Sequence, residues 1–245
     1  VRLIEVEDTT LYNNTIDSND YSGIVITESS KNKIVQNIIK GNGKYGIHIV
    51  NDATKSANNT IKDNTINDNS NVAILNNGIF TTIFNNTIKY NEDVGIKITD
   101  EGARSTIDSN NLVDNEGQSI QIQASNVVIK LNTIDADSSS IAVVILDSNS
   151  VYIENNTIEG GLQGIKVQNS TNAFIYKNII KSNSGYGIYL LMDSTSGDVK
   201  NNNLTDNEDN AIVISASNST EIFNNTIKEN AGYGFVAINS KLLIV

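Results

Sequence analysis

Side chains suited to bond-breaking chemistry are scarce in this sequence. Histidine occurs once, as His48, and arginine twice, as Arg2 and Arg104. Cysteine is absent, which excludes disulfides, thiolate nucleophiles and cysteine-bound zinc. His48 alternates with Ile47 and Ile49, an outward position whose neighbour one repeat earlier is Val25, so no acidic group is placed to orient its imidazole. Read alone, it is an ordinary surface histidine. Acidic residues gather as Asp20, Glu92, Asp93, Glu116, Glu208 and Asp209. Oxygen ligands of this kind suit calcium, with Glu92, Asp93 and Glu116 as the candidate set, although a solvated acidic edge is the preferred reading. No other cofactor is expected. Tyr45, Tyr186 and Tyr233 each precede a glycine and Tyr189 follows on the next strand, so these four rings are the candidate carbohydrate platforms, with corner packing as the competitor. Asn13, Asn58, Asn85, Asn155, Asn169, Asn203, Asn218 and Asn224 satisfy Asn-x-Ser/Thr and are candidate glycosylation acceptors. Most arise from a recurrent Asn-Asn-Thr. Asn169 and Asn218 lie outside that run, in Gln-Asn-Ser-Thr and Ser-Asn-Ser-Thr segments expected to occupy equivalent places in two repeats.

Charge and composition bound what these groups can serve. Acidic residues number 28 against 17 basic, a net charge of −11, which disfavours nucleic acid and anionic membrane surfaces as partners. No apolar run approaches the roughly 20 residues of a membrane span. Asparagine (40) and isoleucine (37) dominate the 245 residues, while proline and tryptophan are absent. Regularly spaced isoleucines mark an ordered repeat and exclude a disordered chain.

The elements that must position these groups follow from that repeat, which reads I-x-x-N-x-I-x-x-N-x-x-x-G-I-x-I and is clearest over residues 83–98. Its first asparagine recurs at 14, 37, 64, 86, 110, 132, 156, 178, 202 and 225. Within each unit the apolar residues alternate with period two, as in Gly95-Ile96-Lys97-Ile98, which is strand chemistry. The pattern predicts a single solenoid domain over 1–245, with about ten coils of 22–24 residues, each coil adding one short strand to each of three parallel sheets.

Asparagines at matching corners should hydrogen-bond from coil to coil, and asparagine tolerates the left-handed backbone of a tight corner. A second ladder is expected at Asn19, Asn42, Asn69, Asn91, Asn115, Asn183, Asn207 and Asn230, interrupted where Asp137 and Gly161 stand in a shortened corner. The column Asp17, Lys40, Asn67, Lys89, Val113, Asp135, Glu159, Lys181 avoids stacking like charges except at Asp135 and Glu159.

The repeat N-N-T-I-x-x-N-x-x-x-G-I, running from Leu11 to Ile238, resembles the parallel β-helix repeat of the NosD-like and carbohydrate-binding/sugar-hydrolase domains. The resemblance implies a right-handed helix. It also implies a family of lyases, epimerases, hydrolases, a copper-centre maturation factor and surface proteins, so it is specific for fold and weak for activity. Lyases and epimerases of this kind use basic residues on the substrate, and hydrolases use adjacent aspartates. This sequence has few of the former and no Asp-Asp pair, and one histidine, Met192 and no cysteine supply few copper ligands.

The closing residues 239–245 match the opening of a further coil and Ile4-Glu5-Val6 the close of an earlier one, so the chain is expected to continue into, or dock on, other domains or subunits, including head to tail. The leading expectation is a non-catalytic, glycosylated structural module of an extracellular cell-surface protein, such as an adhesin, surface-layer or filament component. The alternative is a polysaccharide-binding or polysaccharide-modifying protein.

Overall fold

The computed structural model describes residues 1–50, 55–192, 194 and 197–244. They form a right-handed parallel β-solenoid of about ten turns. Each turn supplies a short strand to each of three sheets, as in Thr10–Tyr12, Thr15–Asp17 and Ile24–Thr27. Equivalent strands of successive turns pair in parallel, giving 11, 11 and 10 strands among the described residues. The first sheet runs from Arg2–Ile4 through Ile24–Thr27 and Ile47–Val50 to Phe235–Ile238, the second from Thr10–Tyr12 to Lys241–Ile244, and the third from Thr15–Asp17 to Thr226–Lys228.

Period two in the sequence becomes an inside and an outside. Ile24, Ile47, Ile74, Ile96 and Ile120 stack in register within the first sheet and are fully buried. Ile34, Ile61, Ile83 and Ile107 do the same in the second sheet, and Ile39, Ile66 and Ile88 in the third. Each buried isoleucine contributes about 1.5–3 kcal/mol, so the stacked columns are the main stabilising term.

The asparagine ladders form as the repeat predicts. The side-chain NH2 of Asn64 donates to Ile34 O at 2.8 Å, Lys62 O at 3.0 Å and Asn86 Oδ1 at 3.0 Å. Its Oδ1 accepts from the backbone NH and the side-chain NH2 of Asn37 at 2.9 and 3.1 Å. The same pattern runs through Asn86, Asn110, Asn132, Asn156, Asn178 and Asn202 to Asn225. The second ladder also forms, from Asn19 to Asn115 and from Asn183 to Asn230, and Gly161 NH donates to Asn183 Oδ1 across the gap. Where the corner shortens, the following strands lengthen to six residues, Ile141–Leu146 and Gln163–Gln168.

Two expectations about the corners are corrected. The ladder asparagines do not hold the left-handed backbone; the residue before each does, including Asn13, Gln36, Asp63, Asn85, Leu131 and Lys177, at φ near +55°. The ladder position selects asparagine for its amide, while the strained position is set by the stack and accepts even leucine. In addition, Asn169 and Asn218 are not equivalent. Ser148 NH donates to Ser170 Oγ and Ser217 NH to Ser240 Oγ, a serine ladder at the third corner that fixes register. Asn169 precedes its ladder serine and is left-handed at φ 48°, whereas Asn218 follows Ser217 and begins the strand Asn218–Phe223.

Replacing Asn110 by alanine deletes bonds to Ile83 O, Asp108 O and Asn132 Oδ1 and orphans the buried donors of Asn86. At about 1–3 kcal/mol per orphaned buried group, urea titration should show Asn110→Ala losing roughly 3 kcal/mol or more. Asn19→Ala, at an exposed position where water can replace the amide, should lose less than about 1 kcal/mol.

Candidate functional site

The outward side of each sheet carries a different chemistry, because alternate strand residues project away from the core. On the third sheet, charges pair between coils, with Lys40 to Asp17 at 3.4 Å and Lys181 to Glu159 at 2.9 Å. Asp135 stacks beside Glu159, and burial, then the Asp114 and Glu159 carboxylates, raise its pKa. On the second sheet Lys130 pairs with Asp108 at 3.5 Å and Lys200 with Asp198 at 2.8 Å.

That second sheet also holds an aromatic column absent from the sequence reading. Tyr152 and Phe174 are register partners and stack with ring centroids 4.8 Å apart at 15°. The Lys200 ammonium lies 5.7 Å from the Tyr176 ring and 5.3 Å from that of Phe223. The signal was available, since Tyr152 and Phe174 each stand four residues before a ladder asparagine. Tyr152 and Phe174 turn their faces to one another and Tyr176 and Phe223 flank the Lys200 ammonium, contacts that stabilise the rod.

The first sheet is where chemistry-bearing groups converge. Tyr45 and His48 pack edge to face, centroids 4.9 Å apart, and Val25 is the register partner of His48 as the spacing implied. Together with Val1, Arg2, Tyr21, Ser22 and Lys44 they line a groove of about 370 Å³. Burial, and next the Lys44 charge, push the His48 pKa down to about 4, so the imidazole is neutral at pH 7. A neutral imidazole beside a phenol, with Lys44 and Arg2 close by, can accept a proton and attract a carboxylate. Sequence reasoning missed the groove because its lining comes from three successive coils.

The other candidates are dispersed. Tyr186 and Tyr189 repeat the edge-to-face pair of Tyr45 and His48 at the same register, with centroids 5.3 Å apart. Tyr233 stands 76% exposed. Asn13, Asn58, Asn85, Asn155, Asn169, Asn218 and Asn224 are exposed, whereas Asn203 is half-buried and the Thr205 of its acceptor triplet is buried. The side-chain amides of Asn85 and Asn169 donate to Asp63 and Asp147 of the preceding coil. Among the described residues no group of three or more His, Cys, Asp or Glu is placed to hold a metal ion. No helix among the described residues is long and apolar enough to cross a membrane.

Comparison with solved structures finds the same solenoid. The A-module of the mannuronan C-5 epimerase AlgE4 of Azotobacter vinelandii superimposes with a TM-score of 0.70 at 12% identity, over 97% of this chain and 76% of that one. The periplasmic alginate epimerase AlgG matches with a TM-score of 0.73 at 15% identity, over 98% and 61%. PfbA, a surface adhesin of Streptococcus pneumoniae, matches with a TM-score of 0.58 at 18% identity, over 96% and 62%. The chain thus spans about three fifths of the length of the last two. At these identities the likeness is one of fold. No curated protein sequence matches the chain. The model of the family described as "Right handed beta helix region" matches residues 1–81, 80–161 and 124–244, and the chain belongs to that family.

Proposed function

We propose that this chain is a rigid structural module of an extracellular cell-surface protein, working as a glycosylated spacer, adhesin or filament segment without catalysis. The observation that carries it is the uninterrupted ladder from Asn14 to Asn225, which ties every turn to the next by side-chain amides. Such a stack resists local opening along its whole length. The likeness to a surface adhesin supports the reading at the level of fold.

A second reading, contact with polysaccharide, is favoured by the groove around Tyr45 and His48 on the first sheet. Two of the structural neighbours are epimerases named for alginate or mannuronan. Here the neutral His48, the Tyr45 phenol and the Lys44 and Arg2 cations would hold a sugar.

Glycopeptide mapping of the protein isolated from its native cells, with protease shaving of intact cells, tests the first reading. Glycan is expected at Asn13, Asn58, Asn155 or Asn169, with little at Asn203, and the peptides should be released from unbroken cells. An unmodified chain released only on lysis contradicts it.

The second reading needs His48 neutral. Its imidazole should titrate by NMR near pH 4, and a midpoint near 6.5 would show that the groove does not enclose it. Because the folded-state pKa is depressed, the unfolded chain binds more protons between these values. Wild-type stability should therefore fall as pH drops from about 6.5 towards 4, and His48→Gln should remove that part of the pH dependence.

A further inference from the structure

Of the two residue types this chain uses most, asparagine is the chemically perishable one. The peptide nitrogen that follows it can attack its Cγ, and hindrance from the next side chain slows that attack, so a following glycine, which has no Cβ, makes the most reactive pair and a following serine a less reactive one. The chain holds two Asn-Gly pairs, Asn42-Gly43 and Asn77-Gly78, and six Asn-Ser pairs, beginning at Asn69, Asn149, Asn169, Asn183, Asn218 and Asn239. The stack treats them unequally.

Asn42 is fully buried in the second ladder, where its NH2 donates to Asn69 Oδ1 at 2.9 Å and to Ile16 O at 3.3 Å. The NH of Gly43 donates to Asn19 O at 2.8 Å, and that of Gly78 to Oδ1 of the buried Asn76 at 3.1 Å. A nitrogen held in this way is not free to swing towards the neighbouring Cγ. The NH groups of Ser70, Ser150 and Ser184 likewise donate to carbonyls of the adjoining coil, at 3.0, 3.0 and 2.9 Å. Asn169 ties its amide to Asp147 Oδ1 at 2.6 Å, and Ser170 is 1% exposed. Among the pairs with a described coil on either side, Asn218-Ser219 stands apart. Asn218 pairs with Lys241 and Thr220 with Leu242, so Ser219 is a bulge residue with no register partner on that strand. It holds a left-handed backbone at φ 61°, and both residues of the pair are exposed.

We propose that Asn218 is the site at which the folded chain spontaneously deamidates, and that the stack holds both Asn-Gly pairs inert. The Ser219 nitrogen attacks Asn218 Cγ, the side-chain nitrogen leaves as ammonia together with the proton of the Ser219 NH, and water opens the resulting succinimide to aspartate or isoaspartate. A bulge can absorb the extra backbone atom of isoaspartate, because its unpaired residue already stands outside the ladder of strand bonds. In the aspartate product a carboxylate oxygen takes the place of Asn218 Oδ1, which accepts from Lys241 NH at 3.0 Å. The same change at Asn42 would set a buried carboxylate against Asn69 Oδ1 and Ile16 O, two acceptors with no proton to offer it, and would break the ladder. Shielding of the Asn-Gly pairs is therefore a condition for the endurance of the rod, and it lapses only when coils open.

The test is peptide mapping by mass spectrometry of the intact chain, made without glycan because Asn218 also begins a glycosylation triplet, after incubation in warm, mildly alkaline buffer. Folded protein is compared with protein unfolded in guanidinium chloride, and isoaspartate is located by fragmentation. In the unfolded chain Asn42 and Asn77 should convert ahead of Asn218. In the folded chain Asn218 should convert first, with Asn42 and Asn77 slowed about a hundredfold or more, as expected where reaction waits for the stack to open. Asn218→Gln should remove the early product of the folded chain. Asn42→Asp should lower the midpoint of guanidinium unfolding, and Asn218→Asp should leave it in place. Conversion of Asn42 or Asn77 ahead of Asn218 in the folded chain overturns the inference, as does an Asn218 that converts no faster than Asn69, Asn149 and Asn183. Equal loss of stability in the two aspartate variants overturns it as well, since the bulge would then tolerate the product no better than the ladder does.

Discussion

A buried asparagine amide brings two donors and an oxygen with two lone pairs into a space that water does not reach, and each must be answered within the stack or cost about 1–3 kcal/mol. In this solenoid the answer is the same residue one coil later. The amide of Asn64 closes a circuit with Ile34, Lys62, Asn37 and Asn86, and the arrangement repeats from Asn14 to Asn225. A coil that slipped by one residue would break this circuit and turn its isoleucines to solvent. Register is therefore held twice, by the apolar columns and by the ladders.

Because the interior fixes register, the outer surface is released from holding the fold together and can diverge. The third sheet pairs opposite charges between coils, the second stacks rings and sandwiches Lys200, and the first excludes acids altogether. Arg2, Lys97 and Lys166 on the first sheet, like Lys33 on the second and Lys89 on the third, take part in no ion pair among the described residues, and exposed ion pairs are in any case weak stabilisers. The first sheet also holds the Tyr45–His48 groove, so charge, shape and a neutral imidazole coincide on the same side of the rod.

What was legible in the sequence is what repeats. Strict spacing of Asn14, Asn37, Asn64 and their successors gave the coils, the three sheets and both ladders, since a one-dimensional stack converts sequence period directly into contact. The shortened corner at Asp137 and Gly161 was equally readable. The conformation of the corners was not, because the left-handed backbone falls on whichever residue precedes the ladder, and Leu131 carries no local sign of it. The register of Asn169 and Asn218 was misjudged because their similar tetrapeptides straddle the serine ladder differently. Tyr45 and His48 were each singled out in the sequence, but their assembly into one groove was not legible, because the other lining residues, Val1, Arg2, Tyr21 and Ser22, come from earlier coils.

The dependence of the stack on its amides is most directly measured by native-state hydrogen exchange at the backbone NH groups of Asn64, Asn86, Asn110 and Asn132. These donate to side-chain Oδ1 atoms and not to strand carbonyls, at 2.8–2.9 Å. If the ladder holds the coils, their exchange should be as slow as that of neighbouring strand amides such as Thr87 and Thr133, proceeding only when the stack opens as a whole. Exchange at the rate of an exposed corner, with the strand amides still protected, would show that the isoleucine columns hold register alone.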